Sequence, residues 1–196
     1  GSGSLCACPV TAAGVEKTLA GLDAPPAAVY VTSPDYLGGM QDVAALAEVC
    51  HRHGTLLMVD NAHGAYLRFL RPSRHPLDLG ADLCCDSAHK TLPVLTGGAY
   101  LQIAKTAPAS LAENAKEALA LFGSTSPSYL TLSSLDCFNG ETDYPARLAE
   151  TVERLAQLRR RLEEAGWALA DSDPLRLTIR APRGSTGGEI AERLRQ

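Results

Sequence analysis

The order of apolar runs and amphipathic stretches predicts an α/β protein: a mostly parallel sheet flanked by helices, followed by the start of a smaller α+β C-terminal domain. Three observations carry that expectation. Short apolar runs of strand length stand at 28–33, 55–60, 81–85 and 98–103. A stretch with helical spacing joins the first two through short links, the pattern of a right-handed parallel strand-helix-strand unit. Beyond Ile103 the chain turns Ala- and Leu-rich, with Glu and Lys interleaved.

The elements follow in order. Ala28 to Ser33 is a strand ended by Pro34, and Gly38-Gly39 marks the loop after it. From Asp42 to His53 the apolar positions Val43, Leu46, Ala47, Val49 and Cys50 recur at helical spacing, and Gly54 stops the helix. Thr55 to Asp60 is the second strand, and the runs at 81–85 and 98–103 extend the sheet. Residues 109–121 and 129–137 read as helices separated by the loop chemistry of Gly123 to Ser128. Tyr144 to Ala165 is a long amphipathic helix with Leu148, Val152, Leu155, Leu158 and Leu162 on one stripe. Residues 174–181 alternate like a half-exposed strand, and a last helix opens at Gly187. A boundary near 138–146 divides a larger domain, 1–140, from a smaller one, 141–196.

Composition narrows the function. The 196 residues are 45% hydrophobic, enough for a substantial core, and no apolar run is long enough to span a membrane. Lys plus Arg is 18 against 22 Asp plus Glu, and only Arg159 to Arg161 cluster, so a nucleic-acid partner is not expected. The six cysteines do not form a disulfide framework in a chain of this length. Cys50, Cys84 and Cys85 sit in apolar patterns and are expected to be buried, and a reducing cytoplasm fits this usage.

Three polar clusters fall at or just after the ends of predicted parallel strands, where open α/β sheets place ligands. They are Thr32 to Tyr36, Val59 to Gly64 and Asp86 to Thr91. An Asp closing an apolar strand, a His three residues on, and a Lys preceded by Ser and His suggest a particular chemistry. A lysine amine can form a Schiff base with an aldehyde cofactor, and a carboxylate can keep a pyridine nitrogen protonated. Asp60 could equally cap its own turn, and His63 could be a satisfied structural histidine. His51 and His53 lie in the last turn of a helix, where the dipole favours imidazolium, and are read as structural. Adjacent Cys84 and Cys85 point to opposite faces and cannot chelate together, so no metal site is expected. Gly184, Gly187 and Gly188 do not form a phosphate loop.

In four segments the chain resembles the pyridoxal-phosphate enzymes of the aspartate-aminotransferase fold (fold type I), and most closely the ornithine/lysine/arginine decarboxylases. The segments are Tyr30 to Gly38, Val59 to Ala65, Asp86 to Pro93 and Ser124 to Tyr129, in family order over about 100 residues. The resemblance implies a decarboxylase of a basic amino acid with pyridoxal 5'-phosphate as cofactor. It gives Lys90 the Schiff base, Asp60 the pyridinium partner, His63 the ring hydroxyl and Ala62 a packing contact on the ring. Ser87 and His89 would hold the phosphate. Ser124 and Thr125 would reach the phosphate of a neighbouring subunit, which implies a homodimer with a shared active site. An aminotransferase or carbon–sulfur lyase on the same fold, or a non-catalytic module derived from it, are the alternatives. Relative to the family, the stretch before Pro9 that supplies a Gly/Ser phosphate loop and a ring-stacking residue is lacking. The chain is therefore expected to be an internal piece of a longer enzyme, and alone to bind cofactor weakly with little turnover.

Overall fold

The computed structural model describes residues 10–124, 126–170 and 172–195. Helix α1 (Ala12–Ala20), which the sequence reading does not anticipate, starts where the Thr11 side chain accepts from Gly14 N–H at 3.1 Å. Strand β1 (Ala28–Thr32) follows, then α2 (Val43–Arg52), capped by the Asp42 carboxylate accepting from Ala45 N–H at 3.1 Å. Its chain reversal uses Gly54 at φ +66°, a conformation that only glycine adopts freely, and leads into β2 (Leu56–Asp60). Two short 3₁₀ helices, Ala65–Phe69 and Pro76–Leu79, carry the chain to β3 (Leu83–Asp86) and the one-turn α3 (Ala88–Thr91). Strand β4 (Tyr100–Ile103) completes the sheet.

The sheet order is β1-β2-β3-β4. Strands β1, β2 and β3 are parallel, with Thr32 opposite Asp60 and Asp60 opposite Cys85, while β4 returns antiparallel to β3. The mostly parallel expectation therefore holds, with the fourth run reversed. One face of the sheet is covered by α2: Val31, Leu57, Val59 and Cys84 pack with Val43, Leu46, Ala47 and Cys50. The opposite face presents Tyr30, 65% exposed, and Cys85. Cys50 and Cys84 are buried as expected, but Cys85 is not, because neighbours along a strand face opposite sides.

Helices α4 (Ala109–Phe122), α5 (Tyr129–Asn139) and α6 (Tyr144–Glu164) follow. From the stripe on α6, Leu148 is buried and Leu158 is 40% exposed. Leu148, Val152 and Leu175 share a second core with Tyr66, Leu67, Ala88, Leu92 and Phe138. Phe69, Phe138 and Tyr144 meet edge to face, with centroids 5.1–5.5 Å apart. Residues 174–181 do not form the expected strand. Their only pairing among the described residues is an antiparallel bridge between Leu169 and Ile179, since no neighbouring strand supplies a ladder. The chain ends in α7 (Gly187–Leu194), opened by a capping box between Thr186 and Glu189. No helix among the described residues is long and apolar enough to cross a membrane.

Candidate active site at the strand ends

The parallel register brings the three polar clusters side by side. Beyond the paired strand ends, Ser33 N–H donates to the Asp60 carbonyl and Asn61 N–H to the Cys85 carbonyl, each at 3.0 Å. These bonds carry the ladder one residue past the strands and fix where the loops begin. The Asp60 carboxylate accepts from Ala62 N–H at 3.0 Å, so its own turn orients it, and it is half-buried on the side of the sheet away from α2. It stands beside the Tyr30 phenol, whose pKa is pushed up by burial first and then by this carboxylate.

His63 is half-buried with a nitrogen-bearing group on each side of its ring. Lys90 Nζ lies 3.5 Å from Nε2, and Arg176 Nη2 lies 2.6 Å from Nδ1. The Tyr36 ring meets the imidazole edge-on at a centroid separation of 5.9 Å, and the Arg176 guanidinium sits over Tyr36 at 5.8 Å. Burial, followed by the charges of Lys90 and then Arg176, moves the His63 pKa below its ordinary value, against weaker pulls from Asp60 and Asp173. Lys90 is exposed and lines a cavity of about 490 Å³ with Leu92, Tyr144, Leu148 and Leu175.

Arg176 and its support are the neighbours of His63 that sequence reasoning misses. Asp173, 1% exposed, pairs with Arg176 Nε at 3.5 Å, accepts the Tyr66 hydroxyl proton in a hydrogen bond, and accepts from Leu175 N–H at 2.8 Å. Arg176 also donates to the Tyr36 carbonyl. Ser172 and Asp173 N–H both donate to the Gly38 carbonyl at 2.9 Å. The one local signal is an Asp three residues before an Arg, which says nothing of His63.

The remaining expected site residues fare differently. Ser87 caps α3 without spending its hydroxyl on a cap bond. His89 Nδ1 faces the Gly98 carbonyl at 2.9 Å, and that carbonyl also accepts His89 N–H at 3.1 Å, so this ring nitrogen is committed to the β3–β4 connection. Ser124 accepts from Ser126 N–H at 3.1 Å in an exposed loop. Thr125 lies outside the described residues. His51 and His53 pair with Asp82 at 2.9 Å and Glu16 at 2.7 Å and take no part in the site.

On the core side, Asp86 is 2% exposed and accepts from Asn61 Nδ2 at 2.5 Å, from His75 Nε2 at 3.1 Å and from Gln102. His75, Cys84 and Asp86 offer ligand atoms within 4.8 Å of one another, the one metal-like cluster among the described residues. Leu77 N–H donates to His75 Nδ1 at 3.4 Å, which leaves the ring proton on the Nε2 that faces Asp86 and occupies the position a metal would need. Burial, then the Asp86 and Cys85 charges, raises the Cys84 thiol pKa far above its usual value.

An aldehyde-bearing pyridine cofactor fits the chemistry of the open side. An accessible amine, a half-buried carboxylate oriented by its own turn, and an imidazole between them stand on neighbouring strand ends.

Comparison with known proteins points the same way. The family profile described as "Orn/Lys/Arg decarboxylase, major domain" matches residues 10–181. The uncharacterized protein YaaO of Bacillus subtilis is 32% identical over 171 residues, covering 81% of this chain and 35% of that protein. An arginine decarboxylase of the same organism is 29% identical over 186 residues, covering 86% and 37%. The chain thus spans little more than a third of the length of these relatives. Among solved structures, an alanine–glyoxylate aminotransferase from Nostoc sp. superposes with a TM-score of 0.66 at 21% identity, over 95% of this chain and 54% of that one. A serine palmitoyltransferase from Sphingomonas wittichii gives 0.65 at 15% identity, over 84% and 42%. The fold is that of the type I pyridoxal-phosphate enzymes.

Proposed function

Because the chain belongs to the Orn/Lys/Arg decarboxylase family through its major domain, we propose that it provides the catalytic core of a pyridoxal-phosphate-dependent decarboxylase acting on a basic amino acid. The observation that carries this reading is the placement of Lys90 Nζ 3.5 Å from the His63 ring, beside the strand end that bears Asp60. The cofactor, when bound, supplies an electron-withdrawing ring for the bond that releases carbon dioxide.

The chain's own residues do the rest. Lys90 offers the amine for the aldehyde. Asp60, its carboxylate kept in place by Ala62 N–H, would be the group that keeps a proton on the cofactor's pyridine nitrogen. His63, its ring held between Lys90 and Arg176, would stand on the side of the cofactor's ring hydroxyl, and Ala62 would be the packing residue for the ring. Ser87, and His89 through the ring nitrogen not facing Gly98, would hold the phosphate. Ser124 and Thr125 would serve the phosphate of a second subunit, which makes the proposed enzyme a homodimer with a shared site, placed in the cytoplasm. What supports this is the order and spacing of the motifs and the family to which the chain belongs.

Borohydride reduction of the full-length protein incubated with pyridoxal phosphate, followed by peptide mapping, tests the reading. Label is expected on Lys90 and lost in Lys90→Ala. Label scattered over surface lysines counts against it. Carbon dioxide release from arginine, lysine or ornithine identifies the reaction, whereas accumulation of a keto acid without carbon dioxide identifies an aminotransferase instead.

A further inference from the structure

Arginine has five N–H donors and no acceptor. Its approach to His63 Nδ1 at 2.6 Å therefore requires a lone pair on that nitrogen. A neutral imidazole carries one proton, and here it must sit on Nε2, the nitrogen 3.5 Å from Lys90 Nζ. The reverse arrangement, with a Lys90 ammonium donating into Nε2, would put a proton on Nδ1 head-on against the guanidinium. We propose that Arg176 is a positioning residue that fixes His63 as its Nε2–H tautomer and makes it a hydrogen-bond donor toward the lone pair of Lys90 Nζ. This rests on the reading of Lys90 as the reactive amine.

Arg176 is equipped to impose that choice because it cannot swing away freely. Its Nη1 donates to the Tyr36 carbonyl, its Nε lies 3.5 Å from buried Asp173, and its own carbonyl accepts from Arg159 at 2.6 Å. Tyr36 stacks under the guanidinium and presents its ring edge-on to His63, so the two rings and the guanidinium form one block. The charged and titratable groups facing the imidazole are Lys90, Arg176, Asp60, Asp173 and the Tyr36 ring. Burial, the Arg176 guanidinium and, while it is still an ammonium, Lys90 favour the neutral imidazole over the weaker opposing carboxylates, and the Arg176 contact keeps the Nε2–H tautomer in place for Lys90 in its reactive, neutral amine form. In this arrangement His63 cannot receive a proton on Nδ1 without breaking the Arg176 contact. It orients the amine rather than deprotonating it.

The tautomer is directly readable. Long-range proton–nitrogen correlation spectra of the full-length protein labelled with ¹⁵N-histidine, with His63→Gln to assign the ring, are expected to show His63 protonated at Nε2 and bare at Nδ1 near neutral pH. Arg176→Met should give a mixture of tautomers and an upward shift of the ring's titration midpoint, since a cation and a donor are lost together. Arg176→Lys keeps the charge but not the fork, and should fall between the two. A wild-type ring protonated at Nδ1, or an Arg176→Met spectrum superimposable on wild type, overturns the proposal. If Arg176→Met does not fold, the wild-type tautomer alone decides. The borohydride experiment separates the two claims: label on Lys90 with an Nδ1–H ring sinks only the role of Arg176, while absence of label from Lys90 in the wild type removes the reactive amine and both claims with it.

Discussion

Asp60 and Asp86 close neighbouring strands, yet their side chains live on opposite sides of one sheet. Asp60 is half-buried on the open side and takes one backbone N–H from its own turn. Asp86 is sealed against the core, with donors from Asn61, His75 and Gln102 converging on its two oxygens. Their substitutions should therefore separate. Asp60→Asn keeps the shape and loses the charge, so turnover of the full-length enzyme should fall by about 10²–10³-fold with stability nearly unchanged. Asp86→Ala should instead cost about 1–3 kcal/mol for each buried donor left unpaired, read as a lower urea midpoint. Equal loss of stability in both variants would contradict this division of roles. Asp60, His63 and Lys90 are legible from the chain alone because each follows an apolar run whose end marks a loop. His75 and Arg176 are not, because what makes them matter is a partner 11 residues away for His75 and 113 residues away for Arg176, in neither case flagged by a local motif.

Between β2 and the site, the first 3₁₀ helix decides how closely the chain can pack. Gly64 precedes it with φ −117°, a value open to any residue, so its need for glycine is a matter of space. A Cβ there would lie 2.0 Å from Asn61 Oδ1 and 2.7 Å from both Leu67 Cδ1 and Pro34 Cδ. Gly64→Ala should cost about 1–3 kcal/mol, as overpacking does, and disturb the Asn61–Asp86 contact behind the site. Thermal denaturation monitored by circular dichroism measures this, and an unchanged midpoint would show that the loop relaxes freely. Elements defined by their own periodicity, such as α2 and α6, are readable in sequence because the apolar stripe is local. The stretch 174–181 misleads because alternation marks a half-buried segment but cannot say whether a strand lies alongside to pair with it. Here the segment is instead pinned by Asp173, and by Thr178 donating to the Leu37 carbonyl at 2.6 Å.

For the molecule as a whole, Asp173 is the closure. It joins Tyr66 across 107 positions of sequence and supports Arg176, so the C-terminal segment and the loops after β1 and β2 hold one another. Asp173→Ala should lower stability by about 1–3 kcal/mol through the Tyr66 hydroxyl left buried without a partner, checked by urea denaturation. Tyr66→Phe made together with it should recover part of that loss, since the stranded hydroxyl is then gone; a double variant no more stable than Asp173→Ala alone would count against this account.

The same closure has a meaning in time. A ribosome delivers Asp60 and Lys90 well before residues 172–178, so during synthesis the amine and the carboxylate emerge while the loops that carry them are still unclamped. Orientation of the imidazole thus comes after synthesis of Asp60 and Lys90, and a nascent chain holds these two side chains before it holds the block that sets the His63 ring.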